Sequence, residues 1–195
     1  QYNRWIKLDE IFEKNVTGIV TARDSLVIWF DEQELSKKLQ DFSNPNMSDI
    51  EISKIMWLKD SRWRKLSDAR KYMQWGITEK SVKDIAYRPF DMRKIYYDRK
   101  IIDWWRFDVM PNMFNENLMI VSWKQTKKDA THFLITESLV DFNLTWSAWA
   151  HWSWYCFSLF LYSDNGSERR LNLKPEIVTK LVENYQLTGD EESIG

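Results

Sequence analysis

The sequence predicts an α+β fold, with a mixed or antiparallel sheet and its helices grouped on one side. Three observations carry that expectation. β-branched and aromatic runs recur at "VTGIVTARDSLVIWF" (16–30), 92–97, 118–122, 132–136 and "YCFSLFLY" (155–162), which is the composition of strands. Between the first and second of these lies a helical insertion, about 32–75, whose apolar residues recur at helical spacing. No internal repeat or low-complexity tract interrupts the pattern.

Taken in order, residues 16–30 read as strand, turn and strand, with the polar "TARD" as the break. Asp31 then caps an amphipathic helix running to about Phe42, with Leu35, Leu39 and Phe42 on one face. A second helix starts at Ser48, with Ile50, Ile55 and Met56 as its apolar residues, and a third runs from about Arg64 to Gln74. The segment 103–115 holds a short helix ending near Pro111, and "YCFSLFLY" is long and apolar enough to be a central strand. "SDNGSERR" (163–170) is a surface loop and the late boundary. It separates a domain at 1–165 from a C-terminal loop, helix and acidic tail at 166–195. Lys174, Pro175 and Glu176 open that last helix, with Pro in the first turn where its missing N–H costs nothing.

With 195 residues, 44% hydrophobic and 29% charged, the chain has the balance of a globular protein. Twelve Trp, eight Tyr and ten Phe supply large areas to bury, yet so many Trp cannot all find partners for their ring N–H groups in one core, so some rings belong at a surface or interface. Cys156 is the only cysteine, which excludes an intrachain disulfide and points to a reducing compartment, the cytoplasm. His132 and His151 lack the spacing to Cys156 that a zinc site needs. No apolar run reaches the ~18 residues of a membrane span. The polar start without Met and the acidic end read as a piece of a longer protein.

The net charge of −1 hides an uneven distribution. Residues 1–58 carry seven cations against ten anions, 59–100 thirteen against six, and 101–195 eight against thirteen. The basic third contains "YRPFDMRKIYYD" (87–98), three cations and four aromatic rings around one proline. Cations interleaved with flat rings suit phosphates and bases.

Motifs of catalysis are sparse. There is no GxSxG, no Gly-rich phosphate loop and no HExxH, and only five glycines exist to build a close-approach loop. Asp91, Asp98 and Lys100 stand in the order of a Mg²⁺-dependent nuclease set, two carboxylates for the ion and a lysine for the phosphate. The competing reading has Asp91 closing a turn and Asp98 ending a strand. "TWSAWAHWSW" (145–154) places Trp146, Trp149, Trp152 and Trp154 together, for packing or for contact with a partner.

The ordered set "GIVTARDSLVIWFD", "YRPFDMRKIYYD", "IIDWWRFDVM", "ENLMIVSWKQ", "HFLITESLVD" and "CFSLFLYS" resembles the C-terminal specificity region of type ISP restriction-modification enzymes and related type IIG-like adenine methyltransferases. The likeness spans about residues 2–185. It implies a DNA target-recognition domain fused behind a methyltransferase domain that uses S-adenosylmethionine, and Mg²⁺ for restriction, in the parent protein. The Asn-Pro-Pro-Tyr motif of that catalytic domain is absent, so this piece needs no cofactor of its own. The family pattern implies Arg-Pro-Arg where this chain has Trp104, Trp105 and Arg106, and Ser-Arg-Gln where it has Ser122, Trp123 and Lys124. Tryptophan stands where cations are expected.

The resemblance and the basic third together give an expected partner, double-stranded DNA, and an expected contact set. It comprises Thr21 and Arg23 of "TARD"; Arg88, Arg93, Lys94, Arg99 and Lys100 in and after the opening stretch; Arg106; and Lys124, Gln125 and Lys127. Tyr96 and Tyr97 are expected to alternate between core and groove. Arg23 beside Asp24 and Arg88 beside Asp91 are expected on one face, or else each pair braces its own turn. Two other functions stay open: a Trp-rich module for protein or carbohydrate, and the Mg²⁺ nuclease.

Overall fold

The computed structural model describes residues 7–123, 133–144 and 154–185. Among them are six α-helices and three open sheets, distributed over two compact units, so the α+β expectation holds.

One unit comprises residues 18–105 and 138–151. Its sheet has the order β2 (Ile28–Trp29), β4 (Asp91–Tyr96), β3 (Val82–Arg88), β7 (Leu139–Val140), antiparallel except for the β3 and β7 pair. The expected helical insertion lies between β2 and β3. Asp31 caps α3 (Glu32–Ser43) by accepting from the Glu34 N–H at 2.8 Å, and Leu35, Leu39 and Phe42 are its buried face. Ser48 opens α4 (Asp49–Ile55) with a full capping box through Glu51. The buried residue of α4, however, is Ile52, whereas Ile50 and Ile55 are 68% and 63% exposed. A two-turn helix buries whichever side its neighbours offer, and an apolar count does not identify that side.

The third helix, α5 (Leu66–Gln74), sends Arg70 inward. Its guanidinium donates to the Phe42 carbonyl at 2.9 Å, to the Asn44 carbonyl at 2.5 Å, and to Met47, and pairs with Asp49 at 2.5 Å. One side chain thus satisfies the C-terminal carbonyls of α3 and anchors the start of α4. The "SLVIWF" strand is largely absent. Thr21 and Asp24 bond to each other, and the Leu26 and Val27 N–H groups donate back to the Arg23 carbonyl, which rolls the chain into α2 (Asp24–Val27) before β2.

The other unit comprises residues 1–17, 106–137 and 152–195. An all-antiparallel sheet, β1 (Val16–Thr17), β8 (Trp154–Ser158), β5 (Met119–Trp123), β6 (Phe133–Thr136), stands apart from a hairpin of β9 (Phe160–Tyr162) and β10 (Arg169–Leu171). The long strand expected at 155–162 is therefore two strands in two sheets. Buried asparagines explain the break at Leu159. The Asn172 amide donates to the Ser158 and Lys14 carbonyls at 2.9 Å each. Asn117 accepts from the Phe160 N–H at 3.0 Å and donates to its carbonyl at 2.9 Å. Backbone groups that a ladder would pair are taken by side chains instead. "SDNGSERR" forms the hairpin turn, with Tyr162 opposite Arg169. The short helix near Pro111 starts there: a 3-10 turn spans Met110–Phe114, while α1 (Leu8–Ile11) opens the unit and α6 (Pro175–Tyr185) follows β10.

In the first unit the chain makes one approach only glycine permits. A Cβ on Gly18 would lie 2.6 Å from backbone atoms of Asp141 and Phe142, where Ile19 donates to Val140 and accepts from Phe142, both at 2.8 Å. Gly18→Ala is expected to destabilise the protein by about 1–3 kcal/mol, because backbone must shift to admit the methyl group. Urea unfolding measures this as a lower midpoint, and a midpoint equal to wild type contradicts it.

Candidate nucleic-acid interface

Thr21 and Arg23, the first two expected contact residues, are both buried. Arg23 is only 2% exposed, and its guanidinium donates to the Ile101 carbonyl at 3.1 Å and the Arg64 carbonyl at 2.6 Å. Burial lowers its pKa, opposed by Asp103 and Asp60. Arg23 therefore holds loops together and offers nothing to a phosphate. Neither arginine–carboxylate pair expected from adjacency forms: Asp24 accepts from the Tyr87 hydroxyl at 3.0 Å, and Arg88 pairs with Asp141 at 2.8 Å. The Arg23 and Arg88 surface is thus not assembled.

The hairpin β3–β4 carries its cations in internal pairs. Asp91 grips Arg93 through two oxygens, with 2.8 Å from Oδ2 to the terminal nitrogen, and that guanidinium lies 4.2 Å from each of the Tyr87 and Phe30 ring centres. Lys94 pairs with Asp84 across the strands at 2.6 Å. Arg88 lies 3.9 Å from the Tyr87 ring centre. Tyr96 and Tyr97 are both core residues. The Tyr96 hydroxyl accepts from the Thr78 N–H at 3.3 Å, and Tyr97, past the end of β4 where alternation stops applying, donates to the Trp105 carbonyl.

At the other end of this sheet stand several cations without an ion-pair partner among the described residues. Arg99 and Lys100, both exposed, follow β4, and Lys80 precedes β3; none has an ion-pair partner among the described residues. The same holds for Lys71 on α5 and for Lys59, Arg62 and Lys65 in the loop before it. Hydrogen bonds join these segments. Tyr72 of α5 donates to Asp98 at 2.9 Å, Arg64 donates to the Ile102 carbonyl at 3.0 Å, Ser61 donates to Asp103 at 2.7 Å, and the Tyr97 N–H donates to Ser81 at 2.7 Å. The electropositive surface is therefore the end where β3 begins and β4 ends. Of its residues the sequence reading named Arg99 and Lys100 and missed Lys59, Arg62, Lys65, Lys71 and Lys80. Their signal, seven cations among 59–80 against three anions, was present in the sequence.

Arg106 belongs to the other unit, is half-buried, and has its pKa lowered by desolvation. Lys124, Gln125 and Lys127, and most of the Trp run, lie outside the described residues. The Mg²⁺ set is dispersed: Asp91 and Asp98 sit at opposite ends of β4, roughly 20 Å apart at strand rise, each engaged with its own partner. No cluster of three metal-ligating side chains occurs among the described residues. Exposed rings are real, with Trp57 and Trp75 each at 90%. Trp104 pairs its backbone with Val20 in both directions, so the departure from Arg-Pro-Arg sits on an edge bridge.

The model of the type ISP C-terminal specificity domain matches residues 10–194. This chain belongs to that family. Its fold is similar to parts of three larger solved chains. The cryo-EM structure of the DrdV–DNA complex gives a TM-score of 0.65 at 21% identity over 90% of this chain and 18% of that one. The ATP-dependent type ISP restriction-modification enzyme LlaBIII bound to DNA gives 0.63 at 21% over 92% and 13%. A nuclease-deletion mutant of the type ISP enzyme LlaGI with a DNA substrate mimic gives 0.55 at 18% over 88% and 15%. The specificity domain here thus spans less than a fifth of each of those chains. Comparison with curated protein sequences gives no match. No helix among the described residues is long and apolar enough to cross a membrane.

Asp141 links the hairpin to the edge of this specificity domain. Its side chain is almost fully buried, and its pKa is pushed up to about 6, first by desolvation and then by Asp24, against the Asn143 N–H and Arg88. A carboxyl whose pKa is higher folded than unfolded adds stability at low pH that is lost as pH rises from about 4 to about 6. Relative to Asp141→Asn, which does not titrate, wild type should lose on the order of 2–3 kcal/mol across that window. Urea midpoints of the two proteins at pH 4, 5, 6 and 7 test it; parallel pH profiles contradict it.

Proposed function

We propose that this specificity domain binds duplex DNA and reads its target sequence for a methyltransferase domain in the same parent chain. The observation that carries the reading is the coincidence of family membership with unpaired cations gathered at one end of the β2–β4–β3–β7 sheet. Lys80, Arg99 and Lys100 are the phosphate contacts of this end, with Lys71 beside them. Each phosphate neutralised releases condensed counterions, which gives affinity and salt dependence but no sequence information. Base reading falls to polar groups that phosphate anchoring brings to the groove. Arg88, Arg93 and Lys94 enter DNA contacts only by exchanging a carboxylate partner, which costs less for the part-exposed Arg93–Asp91 and Lys94–Asp84 pairs than for Arg88, whose partner Asp141 is buried. Methyl transfer from S-adenosylmethionine and Mg²⁺-dependent cleavage belong to the remainder of the parent protein, in the cytoplasm where its DNA is.

The exposed Trp75 keeps a second reading in view, docking onto a protein or carbohydrate partner. Titration with soluble glycans, followed by Trp fluorescence, tests that reading.

Selection from a random-sequence duplex pool should enrich a defined sequence. Binding to the enriched duplex should weaken steeply with salt, and the Lys80→Gln, Arg99→Gln, Lys100→Gln triple variant should lower the log–log salt slope by nearly three units, about 0.9 per contact. Absence of enrichment, or affinity independent of salt, sinks the proposal.

A further inference from the structure

The loop between α4 and α5, "WLKDSRWRK" (57–65), divides its side chains by chemistry. Its one buried residue is apolar, and its short polar residues are spent on bonds within the protein. Leu58 is buried, with its carbonyl accepting from Ser53 at 2.7 Å. Asp60, the loop's one carboxylate, accepts from the Leu66 N–H at 2.7 Å and so opens α5. Ser61 receives the Arg64 N–H at 3.0 Å and donates to Asp103, and the Arg64 carbonyl is held by buried Arg23 at 2.6 Å. What remains outside is two indoles and three cations. Trp57 is 90% exposed at φ 55°, a backbone region that costs free energy for any residue but glycine, and Trp63 is 60% exposed with the Arg62 guanidinium 5.0 Å from its ring centre. Lys59, Arg62 and Lys65 are exposed without an ion-pair partner among the described residues.

A loop pinned from below loses little freedom on binding, so its outward groups are pre-organised for a partner. Three uncompensated positive charges select a polyanion. Two indoles among them fit one that also offers apolar surface, which a duplex does through its deoxyriboses along the backbone.

Resting on the reading that the domain binds DNA, we propose that loop 57–65 is a DNA-contacting element, with Lys59, Arg62 and Lys65 on phosphates and Trp57 and Trp63 against deoxyriboses. Arg23 is then a positioning residue: it touches no DNA and fixes the loop through the Arg64 carbonyl.

The test uses the 195-residue chain and the duplex it enriches from the random pool. Trp57→Gly removes the ring and relieves the left-handed backbone at once. Its thermal midpoint is expected to equal or exceed wild type, while affinity falls roughly tenfold with the salt slope unchanged. The Lys59→Gln, Arg62→Gln, Lys65→Gln variant, all surface changes, is expected to lower the slope by nearly three units, about 0.9 per contact. Wild-type affinity and slope in both variants overturn the loop's role and leave the proposed function standing on Lys80, Arg99 and Lys100. Failure of the wild-type chain to enrich any duplex overturns both.

Discussion

The basic end of the first unit depends on one buried cation. Arg23 crosses 78 residues of sequence to the Ile101 carbonyl and 41 to the Arg64 carbonyl, clamping the segment after β4 to the loop before α5. A guanidinium suits this place because it stays charged under burial and offers several donors in a fixed plane. Burial costs desolvation, and the two carbonyls, with Asp103 and Asp60 nearby, offset it. Without the arginine, both carbonyls would lose a charged donor, an interaction of roughly 1.5–3 kcal/mol each. The exposed cations on either side of the clamp hold their places because the clamp holds the backbone.

The opposite end of the same sheet solves a different problem. The hairpin β3–β4 puts arginines, a lysine and tyrosines on short strands, and at such spacing unpaired charges would repel. Three of its cations have a carboxylate instead: Lys94 has Asp84, Arg93 has Asp91, and Arg88 has Asp141. Tyr87 ties the set together. Its ring lies beneath two guanidinium groups, its hydroxyl donates to Asp24, and burial first and then Asp24 raise the pKa of that hydroxyl. "YRPFDMRKIYYD" looks like a cationic surface in sequence and is a charge-balanced network in space.

Local rules made the legible part legible. The Asp31 cap, the Ser48 capping box and the face of Leu35, Leu39 and Phe42 are contacts within four residues, so they can be read from spacing. The family resemblance was legible as an ordered set of short motifs. The strand at 155–162 failed because the side chains of Asn117 and Asn172, distant in sequence, take backbone groups of Phe160 and Ser158 on either side of Leu159. The pairing of Arg23 with Asp24 failed for the same reason. Adjacency favours a pair only while no distant partner with better geometry competes, and here Tyr87, Ile101 and Arg64 all do.

Counting charge along the sequence located the third of the chain with the cationic excess, and Arg99 and Lys100 within it, but could not tell which of its other cations are paired. A cation paired with a carboxylate at 2.6–2.8 Å contributes little to the field a few ångströms outside the protein, because the pair acts as a dipole. Subtracting such pairs removes Arg70, Arg88, Arg93 and Lys94 from the net field, and the exposed cations left without an ion-pair partner among the described residues are Lys59, Arg62, Lys65, Lys71, Lys80, Arg99 and Lys100. These residues come from three separate stretches, and hydrogen bonds of loops and α5 bring them to one end of the sheet. The steering field of this domain is therefore a property of its tertiary pairing, and the sequence excess of seven positive charges in residues 59–100 survives folding only where the chain places no acid beside them.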